Sequence, residues 1–119
     1  MDTTVYFNPR CSKCRTTQGI LAEQGIEADY VRYLEQVPTR EELERVMKLL
    51  GIDDPRQMMR TGEDVYAELG LADADADGDR LLDAMTEHPI LIERPIVIRG
   101  DRAVIARPPE RVLDLLSDQ

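Results

Sequence analysis

Thr3-Thr4-Val5-Tyr6-Phe7-Asn8-Pro9-Arg10-Cys11-Ser12-Lys13-Cys14 decides the fold of this chain. The apolar run from Thr3 to Phe7 reads as a strand, Asn8-Pro9 breaks it, and a helix begins at about Ser12. Cys11 therefore stands among the backbone N–H groups that every helix start leaves unpaired. Those groups favour an anion, and so they favour the thiolate, the form of cysteine that attacks electrophiles. Lys13, Arg10 and Arg15 add positive charge on either side. Cys11 and Cys14 are the only cysteines in the sequence. This one turn points to thiol redox chemistry.

Downstream, the helix runs to about Gln24, where Gly25 stops it and Ile26 supplies the apolar contact that follows a glycine cap. Ala28 to Tyr33 alternates and reads as a second strand, so strand, helix and strand form a parallel βαβ unit. Thr39 and Glu42 make a capping box for a helix whose apolar face is Leu43, Val46, Met47 and Leu50, closed by Gly51-Ile52. Short helices are expected at Pro55 to Arg60 and Asp64 to Leu69, with another from about Asp79 to Glu87. Pro95 to Ile98 and Ala103 to Ile105 read as a hairpin around Arg99-Gly-Asp-Arg102. Arg107-Pro108-Pro109 then opens a last helix with Val112, Leu115 and Leu116 on one face. This order predicts an α/β fold, a thioredoxin-like mixed β-sheet flanked by helices.

Length and composition bound the function. At 119 residues the chain is one domain, residues 1–119, with ordinary globular content: 42% hydrophobic and 33% charged. No apolar run reaches membrane-spanning length, and a strand starts at Thr3, so neither a membrane helix nor a signal peptide is expected. The expected location is cytoplasmic, where paired thiols are more often catalytic or metal-binding than structural. A net charge of -9 argues against nucleic acid as a direct partner. An anionic substrate would need a local basic patch, and fifteen lysines and arginines suffice for one.

Each candidate residue also has a plainer reading. Cys11 and Cys14 could belong to a zinc site, but four ligands are needed and the sequence offers one histidine and no further cysteine. No metal and no bound cofactor are therefore expected. Cys14 lies three residues on and can reach back to Cys11, which makes Cys11 the nucleophile and Cys14 a candidate resolving thiol. Arg94-Pro95 is either a simple strand entry or the cis-proline loop that a thioredoxin-like plan places beside its cysteine. Asp73-Ala-Asp75-Ala-Asp77-Gly78 imitates the start of a calcium loop, yet its twelfth position is Ala84 where glutamate is required, so a solvated acidic loop is expected. Arg99-Gly-Asp101 is turn chemistry, and His88 is a helix-end residue without a catalytic role.

The chain resembles the glutaredoxin-linked arsenate reductase family. The resemblance lies in Asn8-Pro9-Arg10-Cys11, in Tyr33-Leu34-Glu35 before Pro38-Thr39-Arg40-Glu41-Glu42-Leu43, and in Tyr66-Ala-Glu-Leu-Gly-Leu71. It continues in His88-Pro-Ile-Leu-Ile-Glu-Arg-Pro-Ile-Val97 and Arg107-Pro-Pro-Glu110, so it covers essentially the whole length. It implies a helical subdomain inserted at roughly 38–90 and the reduction of arsenate to arsenite. It also implies Cys11 as the catalytic cysteine and Arg60, Arg94 and Arg107 as the arginines that bind the oxyanion. Glutathione is the implied co-substrate, with glutaredoxin reducing the mixed disulfide. The physics agrees, because planar guanidinium forks can hold a tetrahedral anion beside a thiolate that would otherwise repel it.

Two departures from that family stand out. Many members carry histidine where this chain has Phe7, so support for the thiolate falls to Asn8, Arg10 or Arg15. Typical members lack a cysteine at the position of Cys14, and a Cys11–Cys14 disulfide would shift recycling toward thioredoxin or direct glutaredoxin exchange. Two other classes compete. Spx-type transcription regulators share the fold, carry a CxxC switch and bind RNA polymerase, although Arg107-Pro-Pro-Glu110 fits the enzyme branch. A general thiol-disulfide oxidoreductase would need the CxxC alone and would tolerate Arg60→Ala and Arg107→Ala.

Overall fold

The computed structural model describes residues 2–116. They form two compact units, one built from residues up to Gln36 together with those from Arg94 onward, the other from Val37–Glu93. The first unit carries a four-stranded sheet in the order β2-β1-β3-β4. Strand β1 (Thr3–Tyr6) pairs in parallel with β2 (Asp29–Val31) and antiparallel with β3 (Ile96–Arg99), which in turn pairs antiparallel with β4 (Arg102–Ile105). The sheet is the mixed, helix-flanked thioredoxin-like sheet expected from the order of elements. Val5 opposes Val97, and Val97 opposes Val104, so a row of valines crosses three strands into one core with Leu21, Val112 and Leu115.

Helix α1 (Ser12–Glu23) returns the chain from β1 to β2 and buries Cys14, Thr17 and Leu21, spaced three and four residues apart on one face. Thr17 is the polar member of this stripe, and its hydroxyl donates to the Lys13 carbonyl at 2.9 Å rather than staying unpaired. The helix ends as its sequence requires. Gly25 takes φ +72°, Gly25 N–H donates to Ala22 O, and Ile26 N–H reaches back to Leu21 O. The C-terminal segment Pro109–Leu116 is a 3₁₀ helix packed against α1 with Val112 and Leu115 buried. Pro109 opens it, at a position where a missing backbone N–H leaves no helical hydrogen bond unmade. At the hairpin, Gly100 has φ +61° in the first of two turn positions, where a left-handed residue suits the twist of the strands.

The second unit is helical. Helix α2 (Arg40–Leu50) starts on the capping box expected from Thr39 and Glu42, at 3.1 and 2.9 Å, and ends at Gly51. A 3₁₀ turn (Pro55–Met58), helix α3 (Asp64–Glu68), helix α4 (Gly78–Glu87) and a 3₁₀ turn (Pro89–Leu91) follow. Their shared core includes Leu43, Val46, Met58, Leu81, Met85 and Leu91. Arg40 ties α2 to α4 through Asp79 and Asp83.

Several expected boundaries differ. The second strand is three residues long rather than six, since beyond Val31 the chain turns on hydrogen bonds from Glu35 and Gln36 to Arg32 O. The helix expected from Pro55 to Arg60 stops at Met58, because Met59 bridges Ile92 and Arg60 N–H donates to Leu91 O at 2.7 Å. Extended pairing ends the helix there. In the acidic loop, Asp77 caps α4. The loop's carbonyls turn toward Arg56, whose Nη2 donates to Leu71 O, Asp73 O and Ala76 O at 2.8, 3.0 and 3.3 Å. A guanidinium thus satisfies carbonyls in and just before the acidic loop.

Candidate active site

Cys11 is the N-cap of α1, in extended conformation at φ -90° and ψ 121°. It is held there by its own N–H to Asn8 O at 2.9 Å and by Arg15 N–H to Cys11 O at 3.1 Å. The preceding loop is braced twice more. Asn8 Oδ1 accepts from Arg10 N–H at 3.0 Å, and Pro9 O accepts from the Arg15 guanidinium at 2.9 Å. Asn8 and Arg15 therefore shape the loop that presents the thiol. Arg10 lines an open cleft of about 340 Å³ with Pro9, Arg32 and Glu35.

The cation at the sulfur is Arg94, which sequence spacing could not single out. Strand pairing brings it there. The β1/β3 register matches Tyr6 with Ile96 in antiparallel sense, so residues just before Ile96 run alongside those just after Tyr6. The Arg94–Pro95 peptide is cis, as a thioredoxin-like plan implies, and Pro95 O accepts from Ala106 N–H. Arg107 joins the same cluster by donating from Nη1 to Arg94 O at 2.8 Å, and Arg107–Pro108 is a second cis peptide, which the sequence reading did not foresee. Arg60 lies in the helical unit, where Nη1 meets Glu63 Oε2 at 2.7 Å.

Electrostatics separate the two thiols. Burial pushes Cys11 up, but the Cys14 N–H and thiol, together with the charge and hydrogen bond of Arg94, outweigh it and hold Cys11 below the ordinary thiol range. The Cys14 N–H faces the Cys11 sulfur without completing a full side-chain cap. Cys14 goes the other way. Burial, then the hydrogen bond and charge of Cys11, push it up to about 12 against the opposing Asn8 N–H and Arg94. Both are free thiols, and Cys14 has no exposed surface. The pair thus comprises one thiolate-prone sulfur and one held protonated beside it.

Phe7 is the residue whose identity leaves support of the thiolate to other side chains in the sequence expectation. Here it packs edge-on against Tyr30, with ring centroids 5.2 Å apart. That pair fills core and offers the sulfur no proton or charge. Among the described residues no three His, Cys, Asp or Glu side chains converge where a metal ion could sit. Nor is any described helix long and apolar enough to cross a membrane.

A thioredoxin-like sheet carrying a helix-start thiol with an arginine at its sulfur defines a thioredoxin-like thiol protein. Within that class the chain belongs to the ArsC family, whose model matches residues 6–115. An arsenate reductase of Haemophilus influenzae is 47% identical over 116 residues, which are 98% of this chain and 100% of that protein. An arsenate reductase of Escherichia coli K12 is 42% identical over 115 residues, 97% of this chain and 81% of that one. The solved structure of an arsenate reductase from Vibrio cholerae superposes with a TM-score of 0.93 at 47% identity, covering 96% of this chain and 97% of that chain.

Proposed function

We propose that this protein is an arsenate reductase that works in the cytoplasm through the Cys11 thiolate. The observation that carries the reading is the Arg94 guanidinium at a lowered-pKa cysteine on a helix start, in a chain of the ArsC family. Arsenate is an electrophile wrapped in negative charge, so a thiolate reaches its arsenic only where that charge is neutralised. The helix N–H groups and Arg94 supply this at the sulfur, and Arg107 is anchored next to Arg94. Arg60 enters as the third substrate-binding arginine through the family resemblance.

In the reaction, Cys11 Sγ attacks arsenic and an arsenate oxygen leaves as water after taking up protons. Arsenic in the resulting thiol adduct is still pentavalent. A second thiol must then attack the Cys11 sulfur, so that the sulfur–arsenic electron pair stays on arsenic as it becomes trivalent. That thiol is either glutathione, with glutaredoxin reducing the mixed disulfide, or Cys14, with thioredoxin or glutaredoxin reducing the internal disulfide. Asn8, Arg15 and Pro95 support the site by holding the loops on which Cys11 and Arg94 sit.

The deciding experiment is an NADPH-coupled arsenate assay, run separately with glutathione plus glutaredoxin and with thioredoxin. We expect arsenate-dependent NADPH consumption that falls at least about 10³-fold in Cys11→Ser, as removal of a nucleophile commonly produces. Equal rates in wild type and variant would sink the assignment. Failure of both reductant systems, with a disulfide that still forms and reduces, would favour a redox switch of the Spx type.

A further inference from the structure

A mechanism with one cysteine leaves Cys14 without a purpose, yet its placement is specific. It occupies the third position of α1, one turn from the N-cap Cys11, within hydrogen-bond reach of the Cys11 sulfur. Residues three apart on a helix have Cα atoms about 5 Å apart, inside the span a disulfide bridges. Apart from the Asn8 N–H and Arg94, it belongs to an apolar core that includes Val5, Leu21, Val97 and Val112, and none of its surface is exposed. A thiol so enclosed does not meet dissolved thiols or oxidants directly. What it meets is whatever forms on Cys11.

The geometry points to Cys14 as the internal resolving thiol, which closes a disulfide onto Cys11 and expels arsenite in the same step. This inference rests on the arsenate reductase reading above. Cys14 Sγ attacks Cys11 Sγ, the S–S bond forms, and the sulfur–arsenic bond breaks. The electron pair of that broken bond goes to arsenic, which passes from +5 to +3, while the Cys14 proton ends on an arsenite oxygen. Summed with the first step, the dithiol protein and arsenate give the disulfide protein, arsenite and water. The two electrons come from the two sulfurs. An external dithiol, or glutathione with glutaredoxin, is needed only to reopen the disulfide for the next turnover.

The surroundings of Cys14 also set the order of events. In the free protein Cys11 accepts the Cys14 proton and its charge opposes a second thiolate beside it, which adds to the effect of burial. Arsenic bound to Cys11 removes both the charge and the acceptor. The Asn8 N–H and Arg94, which favour the Cys14 thiolate, remain. Two of the influences that hold Cys14 protonated are therefore gone once the adduct exists, while burial remains, and its attack is intramolecular, with the entropic advantage that brings.

A single-turnover experiment tests this. Fully reduced protein, freed of reductant, is mixed with arsenate in the absence of any other thiol. Arsenite, free thiols and cross-linked peptides are then measured. We expect about one arsenite per chain, loss of both thiols and a Cys11–Cys14 cross-linked peptide. In Cys14→Ser and Cys14→Ala the arsenite released should fall at least roughly tenfold, and the Cys11–arsenic adduct should persist in the intact mass. Wild-type protein that yields arsenite only after glutathione is added overturns the role of Cys14 and leaves the reductase reading standing. An undiminished burst in either variant does the same. Absence of arsenate reduction with every thiol system overturns the reductase reading and this inference together.

Discussion

Two helices of this protein begin in opposite ways. Helix α2 starts on Thr39 with a closed capping box, exposed to solvent, with Glu41 and Glu42 in its first turn. Helix α1 starts on a buried cysteine that makes no full side-chain cap, with no acidic residue in its first turn. In a chain with 24 acidic residues against 15 basic ones, that clear first turn separates the two starts. At the start of α2 the Thr39 and Glu42 N–H groups are taken up by each other's side chains, which stabilises the helix. Those of α1 face a sulfur that has to carry charge, and a carboxylate there would compete with that charge. One start serves stability and the other chemistry.

The largest expected effect follows from removing what the start of α1 has, an arginine delivered from the loop before β3. Arg94→Ala should lower arsenate turnover about 10²-fold, in the range seen when one preorganised donor to a developing charge is lost. The sign with pH is fixed by Arg94 stabilising the thiolate. Without it, Cys11 titrates at higher pH, and the rising limb of the pH–activity curve moves to higher pH with it. Thiolate ultraviolet absorbance against pH measures this directly. Arg94→Lys should recover part of the titration shift but little of the turnover, because an ammonium restores charge without the planar fork.

The complementary change acts on stability alone. Thr39→Ala opens the capping box of α2 and should cost about 1 kcal/mol in urea unfolding. Turnover per folded molecule should stay at the wild-type value. A loss of turnover would mean that the α2 start also serves the reaction, and the contrast between the two ends would fail.

Much of this is legible in the sequence, because the signals are local. Gly25-Ile26, Gly51-Ile52 and the Thr39–Glu42 box each carry their instruction within a few residues, and each folds as read. Cys11 at a helix start is equally local. The arginine at its sulfur is not. Arg94 is 83 positions away and arrives through the β1/β3 register, a long-range pairing that no spacing rule exposes. Charge close in sequence was a poor guide, since Arg15 is spent on Pro9 O and Arg10 lines a cleft. Arg56 was invisible for the same reason, because the carbonyls it gathers come from a loop 15 to 20 residues later. The resemblance implies Arg94, Arg107 and Arg60, and it is the fold that sets Arg94 at the thiol and joins Arg107 to Arg94.

The smallest expected effect separates the two helix starts most sharply. Ser12 is the exposed first residue of α1, so Ser12→Glu gives that helix the acidic first turn that α2 already has. On helix energetics alone the change is favourable, by about 0.3–1 kcal/mol. The urea midpoint should therefore rise slightly. At the same site the new carboxylate opposes both the Cys11 thiolate and an incoming arsenate, so Cys11 should titrate at higher pH and the KM for arsenate should rise, most clearly at low salt. Stability and function thus move in opposite directions from one substitution on one turn. If instead the two improve together, the acid-free start of α1 is incidental, and the Cys14 contacts together with Arg94 account for the state of the thiol.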